Sequence, residues 1–299
     1  MKERDILRRT SRSFYLTIRL LPRVVRDDVA LAYLLARATD TIADTSTEPV
    51  EKRITLLRAA LSSLQSPAID GYAASFWARG QRDASEAALL RALPDLWEQM
   101  QSRTVEVRAL LARVMDHILE GQIFDLERFT PDASPLGADE LERYTYLVAG
   151  SVGEFWHDLS RLKNGSYASE GDEVMRQRAR QYGQGLQLVN IIRDRRMDDA
   201  LGRIYVTAGE VPRATKQARE WLGEGARYCA ALRSGRLRYA TVLPVLFGFR
   251  TLGLCAAQTS ATLTPVKVPR AEVRRWMLRA MPVWWSRTAV LSVAHRAAE

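Results

Sequence analysis

Apolar residues recur at steps of three and four along most of this chain, the spacing that lines one face of an α-helix. Val25 to Asp40 shows it first. Thr47-Glu48-Pro49 reads as a helix start with proline in the first turn. Asp83-Ala84-Ser85-Glu86 resembles a capping box ahead of a helix over Ala87 to Met100. The pattern predicts further helices over Thr104 to Glu127, Asp139 to Ser151, Gly171 to Asp199, Ala214 to Leu232, Tyr239 to Ser260 and Arg270 to Met281. Thr130 to Gly137, with Pro131 and Pro135, reads as a loop, and Ser66 to Gly80 shows no clear period. No strand-rich stretch, repeat or low-complexity linker interrupts the series, so the expected fold is all-α: one helical bundle around a central cavity, a single domain over residues 1–299.

Composition agrees: hydrophobic residues are 47% and charged residues 26% of the chain, and 17 Gly with 11 Pro are few for a loop-rich β protein. The formal net charge of +9 admits nucleic acid, an acidic membrane surface or an anionic metabolite as partner. No compact basic run with interleaved aromatics is present, which argues against nucleic acid. Cys229 and Cys255 give neither metal spacing nor a disulfide framework, as expected for a reducing compartment. Met1-Lys2-Glu3-Arg4-Asp5 lacks the apolar core of a signal peptide. Tyr239 to Ala261 contains Pro244, Arg250 and Gln258 and reads as a buried core helix rather than a membrane span. A cytoplasmic location follows as the expectation. Arg270, Arg274, Arg275 and Arg279, near Trp276, Trp284 and Trp285, are candidates for peripheral contact with anionic lipid, with core packing the alternative for the tryptophans.

Two acidic phrases carry the chemistry. In Arg37-Ala38-Thr39-Asp40-Thr41-Ile42-Ala43-Asp44 and in Gln187 to Asp198, aspartates stand four apart within apolar helix. Each pair, Asp40 with Asp44 and Asp194 with Asp198, therefore shares a helix face. Buried carboxylates that face one another repel unless a cation lies between them. Magnesium suits the role, since it uses one or two carboxylates and completes its shell with water and phosphate. Gln187, Asn190, Asp194 and Asp198 form one polar stripe against Leu188, Val189, Ile191 and Ile192. Asp198, rather than its neighbour Asp199, is the expected inward partner. Arg37 and Arg193 adjoin the pairs and offer the planar donor fork that matches phosphate. The plainer reading of either phrase is a solvated helix face with local salt bridges.

Taken with Thr10-Ser11-Arg12-Ser13-Phe14, Tyr144 to Gly153 and Gly202-Arg203-Ile204-Tyr205, these phrases resemble the squalene and phytoene synthases. Those enzymes are head-to-head prenyl transferases of the isoprenoid synthase fold. The resemblance implies that Asp40, Asp44, Asp194 and Asp198 hold magnesium at the diphosphates, with Gln187 and Asn190 lining the same cavity. It places Ser11, Arg12, Ser13, Arg37 and Arg193 near diphosphate, Phe14 in an apolar wall and Tyr144 near the reacting carbons. It implies prenyl diphosphate substrates and two farnesyl diphosphates joined through presqualene diphosphate. NADPH would reduce that intermediate to squalene; other members lose a proton and give dehydrosqualene or phytoene. Pro265 to Arg270 is similar to a basic segment near the nicotinamide site of squalene synthases, which makes Lys267 and Arg270 the candidates for NADPH. The resemblance also shows two departures: Met197 stands where many relatives carry an acid, and Thr45 where some do. From another class, a relative that has lost catalysis and serves as an assembly factor remains an alternative, as does a basic helical nucleic-acid binder.

Overall fold

Helical periodicity produces helix in every described segment where it predicts one, and in three more. The computed structural model describes residues 5–7, 14–45, 48–64, 78–79, 81, 83–130, 133–258 and 263–299. Among the described residues the main helices, in chain order, are α1 (Phe14–Leu20), α2 (Arg23–Asp44), α3 (Val50–Ser63), α4 (Ala84–Gln101), α5 (Val105–Arg128), α6 (Ala138–Thr145), α7 (Ser151–Asn164), α8 (Asp172–Ala200), α9 (Val211–Ala231), α10 (Gly235–Ala257), α11 (Arg270–Arg279) and α12 (Thr288–Ala298). A π-helical turn, Tyr146–Gly150, joins α6 to α7. Short 3₁₀ turns cover Ala208–Glu210 and Met281–Trp284. Among the described residues the one β feature is an isolated bridge between Ala168 and Leu232. Packing groups the chain into two compact units, Met1–Arg19 with Arg23–Arg128, and Leu20–Pro22 with Phe129–Glu299.

The first unit is built around α2. Leu31, Leu34, Leu35 and Ala38 are wholly buried, because this helix is apolar on most of its circumference. It packs on α4 and α5, and α3 packs on α5. Thr39 and Thr41 are buried too, their hydroxyls donating to the carbonyls of Ala36 (3.0 Å) and Arg37 (2.9 Å). The last turn of α2 leaves carbonyls without intrahelical donors. Arg53 of α3, itself buried, donates to the Ala43 carbonyl at 2.5 Å. A cation at a helix C-terminus is electrostatically favoured, so this contact fixes the turn that carries Asp44. Asp83 caps α4, accepting from Ser85 N (2.7 Å) and Glu86 N (3.1 Å).

In the second unit α8 is the axis, about 44 Å long at 1.5 Å per residue over its 29 residues. It packs against α9, α7, the π turn and α10. Two glycines permit the closest of these contacts. A Cβ on Gly153 would lie 1.9 Å from the Ala179 carbonyl oxygen, and one on Gly183 would lie 2.0 Å from that of Ala149. The backbones of α8 and of the α6–α7 segment thus meet directly, which no larger residue allows. At its other end α8 stops in a Schellman motif: Arg203 N donates to Asp198 O (2.9 Å) and Gly202 N to Asp199 O (3.1 Å), with Gly202 at φ 79°.

Helix α10 is long and apolar enough to cross a membrane by length and composition, and 56% of its most apolar stretch is buried inside the protein. It packs on α8, α9 and α12. Buried Arg238 on α10 donates to the carbonyls of Leu232, Val283 and Trp284. That is core-helix chemistry, in line with the sequence expectation.

Candidate active site

The first acidic phrase is the C-terminal half of α2. Arg37 reaches one turn along its own helix to Asp40 and across to Glu86 of α4 at 2.6 Å. Burial opposes the charge on Arg37, but Asp40 and Glu86 outweigh it and raise its pKa. The Asp40 carboxyl is pushed up to about 6, first by desolvation and then by the charge of Asp44, against the lowering influence of Arg37. Its side chain nevertheless keeps 42% of its surface open to water. The carboxylate is thus closely surrounded yet keeps an open face to water. Solvent screening there tempers the repulsion, and the raised direction is what matters for the chemistry. Asp44 is exposed at the last residue of α2.

This pair fits a divalent cation. Asp44 disfavours the ionised form of Asp40, and a cation shared by both would reverse that bias. Among the described residues no group of three or more His, Cys, Asp or Glu side chains gathers into an all-protein cage. Magnesium needs none, since water and substrate phosphate complete its shell. Thr45, next to Asp44, is buried; its hydroxyl donates to Thr41 O at 2.6 Å and accepts from Gln81 at 2.5 Å.

The second phrase ends α8. Leu188, Val189, Ile191 and Ile192 are buried, while Gln187, Asn190, Arg193, Asp194 and Asp198 are partly exposed. Asn190 donates to Gln187 at 3.5 Å. Arg193 grips Asp194 with two parallel bonds, Nε to Oδ1 at 2.8 Å and Nη2 to Oδ2 at 2.5 Å. That contact is the first cause of the raised pKa of Arg193. A carboxylate has about four lone-pair sites and the guanidinium occupies two, so Asp194 keeps acceptor capacity for a cation. Asp199 pairs with Arg195 at 2.6 Å; Asp198, four residues on from Asp194 along α8, is the second acid on its face. Exposed Met197 projects between them in sequence. Cys255 of α10 lies within electrostatic reach of both Arg193 and Asp194, and burial raises its thiol pKa.

Tyr144 is buried and stacks on Tyr205, ring centroids 5.1 Å apart at 24°, and Tyr205 meets Phe129 edge-on at 4.8 Å. The Schellman turn at Gly202 reverses the chain after α8 and sets up Tyr205 for this stack. The π turn begins two residues after Tyr144; such turns often occur at functional positions. In it, Arg180 lies over the Tyr146 ring at 4.5 Å and Tyr146 donates to Glu154 at 3.3 Å.

The structure thus brings together Arg37, Asp40 and Asp44 within the first unit. In the second it aligns Gln187, Asn190, Arg193, Asp194 and Asp198 along α8, and sets Tyr144 against Tyr205. Lys267 and Arg270, the candidates for NADPH, are exposed, on the coil before α11 and at its first residue. Ser11, Arg12 and Ser13 lie outside the described residues, as does the side chain of Phe14, whose backbone opens α1. Glu86 has no local sequence signal for its contact with Arg37, 49 positions away; it reads only as part of a cap. Phe129 likewise stands out by no motif of its own.

The family model for squalene/phytoene synthases matches residues 7–213. The phytoene synthase of the fungus Blakeslea trispora, a bifunctional lycopene cyclase/phytoene synthase, is 33% identical over 208 residues, 68% of this chain and 31% of that protein. Human squalene synthase is 29% identical over 202 residues, 67% of this chain and 44% of that protein. The chain therefore spans less than half the length of these curated relatives. Among solved structures, TcSQS with the ligand BPH1237 gives a TM-score of 0.80 at 20% identity, covering 99% of this chain and 89% of that one. A dehydrosqualene synthase with ligand gives 0.65 at 20% identity, covering 94% of each. These likenesses establish the all-α isoprenoid synthase fold, and the long family match, which takes in both acidic phrases and Tyr144, establishes that the chain belongs to the squalene/phytoene synthase family.

Proposed function

We infer that this chain is a magnesium-dependent prenyl transferase that joins two farnesyl diphosphates head to head through presqualene diphosphate and, with NADPH, yields squalene. The observation that carries the reading is the pair of acidic phrases, each with its own arginine, inside the stretch that the family model matches. Bound magnesium would neutralise charge on a departing diphosphate and so ease ionisation of an allylic carbon–oxygen bond. Asp40 with Asp44 in the first unit, and Asp194 with Asp198 in the second, would each offer oxygen ligands to such an ion. Arg37 and Arg193 offer forked donors to phosphate oxygens. Tyr144, stacked and buried, holds a π face near the developing cation, and the surrounding apolar side chains keep water from quenching it. Lys267 and Arg270 are proposed to meet the phosphates of NADPH.

A second reading, a phytoene synthase, is favoured by the 33% identity to the Blakeslea protein; a synthase that stops at dehydrosqualene or presqualene diphosphate is its C30 counterpart within the same family. Incubation with farnesyl diphosphate and magnesium, with and without NADPH, followed by mass identification of the lipid, separates the two. Squalene that appears with NADPH supports the first reading. A C40 product from geranylgeranyl diphosphate alone, or a C30 product from farnesyl diphosphate that NADPH does not carry on to squalene, supports the second. No product from either substrate refutes both.

A further inference from the structure

Residues 263–299 hold seven Lys or Arg against two acids, so an eighth of the chain carries more than half of its net charge of +9. One of the two acids, Glu272, is turned inward, accepting from Arg250 at 2.6 Å and from Trp276 Nε1 at 3.3 Å. The outward stripe of α11 is Ala271, Arg274, Arg275 and Leu278, at helical steps of three and four. It runs on into Met281, Trp284 and Trp285. Leu278 is 67% exposed and Trp285 75%, with Met281, Trp284 and Leu291 also open to solvent.

These side chains do not stand out for want of a framework. Trp276 is buried beneath α11, and Ala280 and Val283 are wholly buried. Tyr239 donates to the Met277 carbonyl at 2.9 Å. Buried Arg238 holds the carbonyls of Val283 (2.8 Å) and Trp284 (3.1 Å). The turn is fixed, and it is fixed with two tryptophans and two aliphatic side chains outward, beside arginines.

We propose that this surface docks on an anionic lipid bilayer, with Leu278, Met281, Trp284 and Trp285 entering the headgroup boundary and Arg274, Arg275 and Arg279 meeting lipid phosphates. Tryptophan is suited to that boundary because its ring is apolar and its N–H polar. A cationic rim around an apolar patch complements acidic headgroups; a protein partner would have to be strongly acidic to do the same. The proposal does not depend on the prenyl-transfer reading, because its test measures binding and not turnover.

The test is co-sedimentation of the full chain with vesicles of phosphatidylcholine, with and without phosphatidylglycerol. Partition is expected to require the anionic lipid and to weaken with salt. Each surface cation is worth about fivefold in partition, from ~1 kcal/mol per residue. The double variant Arg274→Gln/Arg275→Gln should therefore bind about twenty-five-fold more weakly. The double variant Arg213→Gln/Lys216→Gln, which removes as much charge from exposed positions on α9, should bind nearly as wild type. Brominated acyl chains should quench tryptophan fluorescence, with part of the quenching lost in Trp285→Phe. Circular dichroism confirms that each variant folds. Equal losses in both double variants, equal binding to neutral vesicles, or no binding would overturn the proposal. So would a concentration-dependent dimer that Trp285→Ser breaks, in protein that vesicles do not sediment.

Discussion

Substituting Gly183 by alanine tests how the second acidic phrase is held in place. An alanine Cβ there would lie 2.0 Å from the Ala149 carbonyl oxygen and 2.7 Å from its carbon. Carbon and carbonyl oxygen normally approach no closer than about 3.3 Å, so the backbones must part by more than an ångström. Neither partner is a flexible side-chain tip, and Gly153 makes the reciprocal approach to Ala179 at 1.9 Å, so relief at one site strains the other. Overpacking of this kind costs about 1–3 kcal/mol, and a backbone clash belongs at the upper end, about 3 kcal/mol. With an unfolding entropy of about 2.1 cal/mol/K per residue, Tm should fall by about 5 °C if the whole chain melts together. The fall should be about 8 °C if the second unit melts alone. Gly223→Ala is the control: nothing lies within 4 Å of its added Cβ, and alanine is favoured over glycine within a helix by about 0.5–1 kcal/mol. It should raise Tm by about 1–3 °C. Calorimetry or thermal circular dichroism reads both. An unchanged Tm in Gly183→Ala, or a Tm in Gly223→Ala that falls as far as in Gly183→Ala, would refute the direct-backbone account of this packing.

Glu86→Gln removes a carboxylate from Arg37 but leaves its contact with Asp40. It should raise KM for the prenyl diphosphate severalfold with little change in Tm, and a kcat loss without a KM change would contradict the positioning role. Asp40, raised to about 6 in the folded protein against about 3.8 for an ordinary carboxyl, favours the fold fully below pH 4 and loses that contribution as pH rises through 6. Asp40→Asn should therefore stabilise metal-free protein more at pH 7.5 than at pH 5; a Tm difference independent of pH would show that the carboxyl is not perturbed. Tyr205→Ala deletes a buried stacked ring and should cost about 3–5 kcal/mol, whereas Tyr205→Phe keeps the stack and should cost under about 1.5 kcal/mol; equal losses would place its value in the hydroxyl.

Much of this was legible in the sequence because helices announce themselves locally. The period of Val25 to Asp40 foretells α2, and the i, i+3 spacing of Arg37 and Asp40 foretells their contact. Boundaries were less legible. The helix expected over Asp139 to Ser151 does not stop there: the chain continues through a π turn into α7, and Gly150 and Gly153 pack closely against α8. Phe14–Leu20 and Thr288–Ala298 are short helices whose apolar faces become meaningful only against the neighbours they bury. Asp83 caps as its spacing predicts, but Glu86 turns away from the box to Arg37, a tertiary contact that outbids a local one. The pairing of Asp194 with its neighbour Arg193 was present in the sequence only as adjacency; which way the guanidinium points is decided by the packing of α8.

The central claim is that the paired aspartates carry magnesium to a prenyl diphosphate. Release of diphosphate from farnesyl diphosphate, followed against free magnesium in wild type, Asp40→Asn and Asp194→Asn, tests it most directly. Turnover should saturate with magnesium and vanish with a chelator, and either substitution should cut kcat/KM by about 10³, the effect of losing several kcal/mol of charge stabilisation. Undiminished release in either variant, or release that persists in the chelator, would contradict it.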